Sequence, residues 1–231
     1  MLYIIDSANV EAIKKCLEFY PISGVTTNPS IISREKTDFV GLIRQIREVI
    51  GPDRMLHIQT TSTDTDNIVR ETYALTKLVE SNLYIKIPIS PEGLKATMRL
   101  KKEGFNVTMT AIFTQQQAFL AAQAGADFVA PYVNRLDNIA SDGVQIVKEI
   151  VELFKTHDIK SKVLAASFKN VEQVHKTVMA GAQSVTISPD MFDKLLYHPL
   201  TLYAMDDFEK DWDSVYNGKK IIDLIEKNKL N

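Results

Sequence analysis

Residues 83–93 read LYIKIPISPEG. Leu83, Tyr84, Ile85, Ile87 and Ile89 form a short apolar run of the kind that becomes a strand covered on both faces, as in a parallel sheet. The Ser90-Pro91 pair that follows is a helix start: a hydroxyl able to cap, then a proline preset for the first helical position. Strand, turn and helix start in so short a span make a β-to-α unit, and the same alternation runs along the chain. Strands are expected at LYIID (2–6), GVTTN (24–28), MLHIQT (55–60), YIKIP (84–88), VTMTAI (107–112), DFVAPYV (127–133), KVLAASF (162–168) and SVTIS (184–188). Between them lie amphipathic windows such as NVEAIKKCLEFY, DFVGLIRQIREVI, DNIVRETYALTKLVE and NVEQVHKTVMAG. Gly104, Gly125 and Gly181 punctuate helix ends. Eight such units predict an α/β fold, a closed (β/α)8 TIM barrel, over an open doubly wound sheet. The latter usually has fewer strands and a glycine-rich first turn, and no G-x-G-x-x-G follows the first strand here. One barrel domain is expected over residues 1–231, with residues 207–231 as a C-terminal helical extension.

Lys86 interrupts the opening strand. A strand lysine ordinarily snorkels outward or pairs with a carboxylate. In a TIM barrel, however, function gathers at the C-terminal ends of the strands, and those ends carry Asp6, Asn28, Gln59, Lys86, Thr110, Tyr132 and Ser167. Singly, each has a plain structural explanation: Asp6 can cap the following helix, and Asn28 can start the turn before Pro29. Barrel closure would bring them around one axis. A lysine amine titrates near 10.4 in water, and burial can lower that by up to about 3 to 5 units, leaving a usable nucleophile. A neutral amine adds to a ketone, and loss of water leaves a protonated imine, an electron sink that lets a neighbouring carbon–carbon bond break without metal or organic cofactor. Asp6, if ionised, can take the proton of the departing hydroxyl, while Gln59, Thr110 and Tyr132 can hold the water that moves protons. Arg135, Ser167 and Lys169 offer guanidinium, hydroxyl and ammonium groups for a phosphate, which barrels often bind after their last strands. The plain alternative for Arg135 and Lys169 is a surface ion pair.

Composition narrows the partners. With 27 basic and 29 acidic residues and a net charge of −2, nothing favours nucleic acid or an anionic membrane surface. No window approaches a membrane span, and the N-terminus lacks the pattern of a secretion signal, so a soluble cytoplasmic protein is expected. The single cysteine, Cys16, excludes an intramolecular disulfide and falls in a helical pattern as a packed thiol. His57, His157, His175 and His198 show no ligand spacing, and no metal is expected.

Four ordered stretches, GVTTNPSII, IKIPISPEGLKA, AGADFVAPYVNRLD and VLAASFKNVEQV, together with FEKDW near the C-terminus, resemble the short-chain transaldolase family and, within it, the fructose-6-phosphate aldolases. The resemblance runs nearly end to end. It implies Lys86 as the Schiff-base residue, Asp6 in proton transfer, Thr26 and Asn28 against substrate hydroxyls, Thr110 on a water, and Arg135 and Ser167 on a phosphate. Where transaldolases have glutamate and phenylalanine, this chain has Gln59 and Tyr132, and Ala130 stands where longer transaldolases have serine; all three are aldolase-like. Phe113 replaces a tyrosine, and NGKKIIDLIEKNKLN has no counterpart in the pattern. The implied enzyme is a cofactor-free class I aldolase cleaving fructose 6-phosphate to dihydroxyacetone and glyceraldehyde 3-phosphate. Its rivals are a transaldolase, which passes the dihydroxyacetone unit to another sugar phosphate, and a noncatalytic phosphosugar-binding barrel. Phe208, Trp212 and Tyr216 recur at helical spacing, a stripe that can pack against the barrel of its own chain; the resemblance implies instead that this helix reaches a neighbouring subunit of a homo-oligomer, with pentamer rings stacked as a decamer.

Overall fold

The structure, a computed structural model, describes residues 1–229. Two compact units separate by their contacts, Met1–Phe192 and a second beginning at Asp193. In the first, eight parallel strands close in sequence order into a barrel, β8 pairing with β1. The strands are β1 (Leu2–Asp6), β2 (Ile22–Thr26), β3 (Met55–Gln59), β4 (Leu83–Pro88), β5 (Asn106–Ile112), β6 (Phe128–Pro131), β7 (Lys162–Ala165) and β8 (Ser184–Ile187). The helices between them are α1 (Val10–Phe19), α2 (Pro29–Arg34), α3 (Phe39–Ile50), α4 (Thr65–Val79), α5 (Pro91–Lys102), α6 (Gln115–Gln123), α7 (Val133–Asp137), α8 (Gly143–Thr156) and α9 (Val171–Met179). This is the (β/α)8 TIM barrel that the strand count predicts.

Alternation along the strands sorts the side chains into two cores. Ile4, Phe128 and Leu164, with Leu2, Met55 and Tyr84 against them, fill the barrel interior. Ile5, Val25, Ile58, Ile85, Val107 and Val129, on the alternate positions, are likewise buried. Burial on both faces explains why the strands read as continuous apolar runs.

Three strand ends fall two or more residues short of the sequence expectation, each because a turn takes over. β2 spans Ile22–Thr26 rather than 24–28: Asn28 is extended (φ −152°) and its side chain accepts from the Ile31 amide at 3.0 Å, so it caps α2 with Pro29 in the first turn. β6 stops at Pro131, because Tyr132 makes only an isolated bridge to Ala166 and Val133 begins α7. β7 stops at Ala165, and Ser167 turns into the left-handed region at φ 64°. The β4-to-α5 turn is as the sequence suggests: Ser90 Oγ accepts from the Gly93 amide at 2.9 Å. Residue 93 has to be glycine, since a Cβ there would lie 2.4 Å from the Pro88 carbonyl oxygen.

The chain passes from the first unit into the second within α10 (Pro189–Leu196), and α11 (Pro199–Tyr216) and α12 (Ile221–Lys229) follow in the second. The Trp212 indole donates to the Lys219 carbonyl at 2.7 Å and lies 4.3 Å from the Tyr216 ring, fixing the turn between the last two helices. The extension expected from residue 207 therefore starts earlier, because Asp207 lies inside α11; its last residues, 230–231, are outside the described ones. Leu200, Tyr203, Met205 and Phe208 of α11 are exposed, Phe208 by 70%. No helix among the described residues is long and apolar enough to cross a membrane.

Candidate active site

Lys86 lies in the middle of β4, in register with Gln59 on β3 and Thr108 on β5. Its position puts it on the inward face with Tyr84, and it is only 5% exposed. The amine donates to the main-chain carbonyl of Thr27 at 2.8 Å. Burial pulls its pKa below the ordinary lysine value, and the charge of Asp6 opposes this. Asp6 ends β1 and accepts from Thr26 Oγ1 at 2.7 Å. Its pKa is raised, by burial first, while Lys86, the Thr26 hydrogen bond and Arg34 pull it back. Burial thus disfavours both charges, and each charge is sustained partly by the other.

Beneath the pair sits a residue whose site role the sequence did not announce. His57 shares its strand face with Gln59. It is fully buried, stacked on Tyr84 with centroids 4.7 Å apart and edge-on to Phe128 at 5.4 Å. Its Nδ1 is 2.9 Å from Thr108 Oγ1, and its Nε2 has no partner among the described residues. Burial, and secondarily the charge of Lys86, lowers its pKa to about 3. The ring is therefore neutral at ordinary pH, a polar plug in an apolar floor. The signal that could have found it is the spacing of two between His57 and Gln59, which puts both on one strand face.

Next round the barrel from β4, at the ends of β5 and β6, Thr110 Oγ1 and the Tyr132 hydroxyl are 3.1 Å apart. The Tyr132 ring is held from two further sides: the guanidinium carbon of Arg135 lies 4.7 Å from its centroid, and Phe113 meets it edge-on at 5.6 Å. No carboxylate of the described residues pairs with Arg135, so the surface ion pair is not what the structure shows. Backbone bonds clasp α7 to the chain after β7: the Val133 amide donates to the Ala166 carbonyl at 3.0 Å, and the Asn134 amide to the Ser167 carbonyl at 2.7 Å. They bring the helix carrying Arg135 beside Ser167, which keeps its left-handed backbone at a typical cost of about 1 to 3 kcal/mol.

Other expected residues stand further from that arrangement. Thr26 is fully buried, and its hydroxyl is spent on Asp6 and on Thr186 Oγ1, at 2.6 Å, instead of opening toward a substrate. Asn28 spends its side-chain oxygen on the α2 cap. Gln59 is half-buried and lines a cavity of about 430 Å³ with Pro29, Ile32, Phe39, Glu71 and Leu75. Lys169 is exposed, and among the described residues its anchor is its amide, which donates to Gln173 Oε1 at 2.8 Å. Among the described residues no group of three or more His, Cys, Asp or Glu side chains is placed to hold a metal.

A buried lysine facing a carboxylate at the mouth of an eight-stranded barrel suits amine chemistry on a carbonyl. The family model described as Transaldolase/Fructose-6-phosphate aldolase matches residues 3–229. The chain belongs to this family. A Streptococcus pneumoniae protein named "Probable fructose-6-phosphate aldolase" is 39% identical over 96% of this chain and 100% of its own length. A Symbiobacterium thermophilum protein named "Probable transaldolase" is 40% identical over 93% of this chain and 98% of its own. Family and relatives make the chain an enzyme, an aldolase or closely related transaldolase. Among solved structures, one described as "Native KDPGal structure" superposes with a TM-score of 0.57 at 17% identity, over 86% of this chain and 84% of that one, a likeness of fold.

Proposed function

We propose that the enzyme is a class I aldolase that reversibly cleaves fructose 6-phosphate to dihydroxyacetone and glyceraldehyde 3-phosphate through an imine on Lys86. The observation that carries this reading is the buried Lys86 amine, its pKa lowered by burial and its neighbour the Asp6 carboxylate. The neutral amine adds to the C2 carbonyl, and water leaves to give the protonated imine. Asp6 takes the proton of the C4 hydroxyl as the C3–C4 bond breaks, the bonding pair moves into the iminium to form an enamine, and glyceraldehyde 3-phosphate departs. Protonation at C3 and hydrolysis then release dihydroxyacetone and restore the amine. Thr110, Tyr132 and Gln59 hold the water for these transfers, Thr26 holds Asp6, and the Asn28 amide nitrogen, left over from the cap, meets a substrate hydroxyl. Arg135, Ser167 and Lys169 bind the phosphate.

The names of the relatives keep a second reading in play, transaldolase, in which the enamine waits for an aldose phosphate acceptor. Gln59 and Tyr132 favour release: a glutamine cannot ionise and can only orient water, and a phenol can exchange a proton with it. A noncatalytic phosphosugar-binding barrel would bind without covalent trapping. The proposed enzyme is a cytoplasmic homo-oligomer, pentamer rings paired as a decamer; the exposed apolar residues of α11 support a neighbouring subunit that covers them, and have no bearing on its compartment or the number of subunits. The deciding experiment measures dihydroxyacetone from fructose 6-phosphate with and without erythrose 4-phosphate, and traps the imine with borohydride and dihydroxyacetone. Reduced donor mass on the Lys86 peptide, absent from Lys86→Arg, is expected; labelling elsewhere overturns the assignment.

A further inference from the structure

Asp6 has two carboxylate oxygens, yet in the reading above only one of them receives the substrate's proton. The structure partitions the two. Thr26 Oγ1 donates to Oδ1, and no hydrogen bond from the described residues reaches Oδ2. Thr26 lies beside Asp6 in the β1–β2 register, and its hydroxyl is also 2.6 Å from Thr186 Oγ1 on β8, the strand on the other flank of β1. Both threonines are buried, 0% and 3% exposed, so water does not compete for their hydroxyls.

Proton counting fixes the direction of this chain. A threonine hydroxyl has one hydrogen, and an ionised carboxylate only accepts. The Thr26 hydrogen is committed to Asp6, so the contact between the two threonines requires Thr186 to be the donor. A hydroxyl that accepts one hydrogen bond becomes a better donor in the next, and in a buried chain this polarisation is not screened.

We propose that Thr186 is a positioning residue for the reaction: by donating to Thr26 it commits the Thr26 proton to Asp6 Oδ1 and leaves Oδ2 as the atom that receives the substrate's proton. This rests on the reading of Asp6 as the proton acceptor. Thr186 touches no substrate; it acts through Thr26. Without it, the Thr26 hydroxyl loses the bond that polarises it, and the carboxylate is less firmly held in its ionised form. The other charges facing Asp6 are Lys86 on β4 and Arg34 on α2, and neither is altered by a change at residue 186.

Thr186→Val keeps the shape and removes the donor; Thr186→Ser keeps the donor. Three readouts follow. Borohydride trapping of dihydroxyacetone on Lys86 should be unchanged in both variants. The kcat for cleavage should fall about tenfold in Thr186→Val with little change in KM, the signature of an interaction that matters in the transition state, and recover to within about threefold of wild type in Thr186→Ser. The acid limb of the kcat/KM profile should move to higher pH in the valine variant alone, because a carboxylate that loses support to its charged form protonates more readily. Thr186→Ala, which adds no methyl against Thr26, is measured in parallel and decides if the valine variant does not fold. Wild-type kcat and an unmoved acid limb in the hydroxyl-free variants overturn the proposal, as does a serine variant as impaired as alanine. Asp6→Asn separates the two levels: if it still cleaves, the reading of Asp6 fails; if it is inactive while Thr186→Val and Thr186→Ala behave as wild type, only the role of Thr186 fails.

Discussion

His57 should make the fold acid-sensitive in a way that one substitution removes. The ring titrates near 6.5 when solvated and at about 3 in the fold, where burial and the Lys86 charge oppose protonation. Between these values the unfolded chain takes up a proton that the native state refuses, so the unfolded state is favoured as pH falls. Stability from this group is complete above about pH 6.5 and is lost progressively toward pH 3, where the native ring finally protonates. At about 1.4 kcal/mol per unit, the whole interval is worth roughly 5 kcal/mol, and the step from pH 7 to pH 5 about 2 kcal/mol. Asp6 acts in the opposite sense, since its raised pKa lets the native state hold a proton more readily as pH falls. That contribution is common to wild type and a variant at residue 57, so it cancels in the difference. The assay is urea unfolding followed by far-ultraviolet circular dichroism, at pH 7 and pH 5 and one protein concentration, for wild type and His57→Phe. Phenylalanine keeps an aromatic ring against Tyr84 and Phe128 but orphans Thr108 Oγ1, so the variant starts lower at pH 7, by about 1 to 3 kcal/mol for an unsatisfied buried hydroxyl. What matters is the slope: wild type should lose about 2 kcal/mol more than the variant between the two pH values. Equal losses would mean that the ring reaches water or finds a charge partner in the fold, and the account of the barrel floor would be wrong.

The remaining expectations concern the mouth and the last helices. Arg135→Ala should raise KM for phosphorylated acceptors by far more than for glyceraldehyde, with kcat less affected, because a contact kept through the reaction appears in binding; equal effects on both acceptors would make the arginine structural. Tyr132→Phe should lower cleavage of fructose 6-phosphate about tenfold or more, and combining it with Gln59→Glu should raise sedoheptulose 7-phosphate formation from fructose 6-phosphate and erythrose 4-phosphate relative to dihydroxyacetone release. An unchanged ratio in the single and the double variant would favour transaldolase as the native activity. Truncation before Asp207 should reduce the mass seen by light scattering, and a truncated chain that keeps the full assembled mass would exclude residues 207–231 from the subunit contact.

The barrel was legible because a doubly covered parallel strand leaves a strong mark: eight apolar runs, each followed by helix punctuation. Lys86 was legible as an exception to that rule. The ends of β2, β6 and β7 were not, because composition there still reads as strand while side-chain capping by Asn28, the bridge at Tyr132 and the left-handed Ser167 decide where pairing stops. The division of labour between Thr26 and Thr186 was hidden for a related reason. Threonine is an ordinary strand former, and only the register of β8 against β1 and of β1 against β2 puts those hydroxyls within a hydrogen bond of each other. His57 needed the alternation along β3 to be followed through to the floor of the site.

The partner of the Lys86 amine is a peptide oxygen, and this changes where mutation can do damage. An anchoring side chain is rewritten by a single codon change, whereas the carbonyl of residue 27 is supplied by any amino acid encoded there. Sequence drift at that position therefore leaves the anchor in place as long as β2 keeps its course. The vulnerability moves upstream to Gly24, where a Cβ would lie 2.5 Å from the Met55 carbonyl oxygen and would push β2 away from β3. A residue without a side chain thereby becomes the heritable guardian of a contact it never makes.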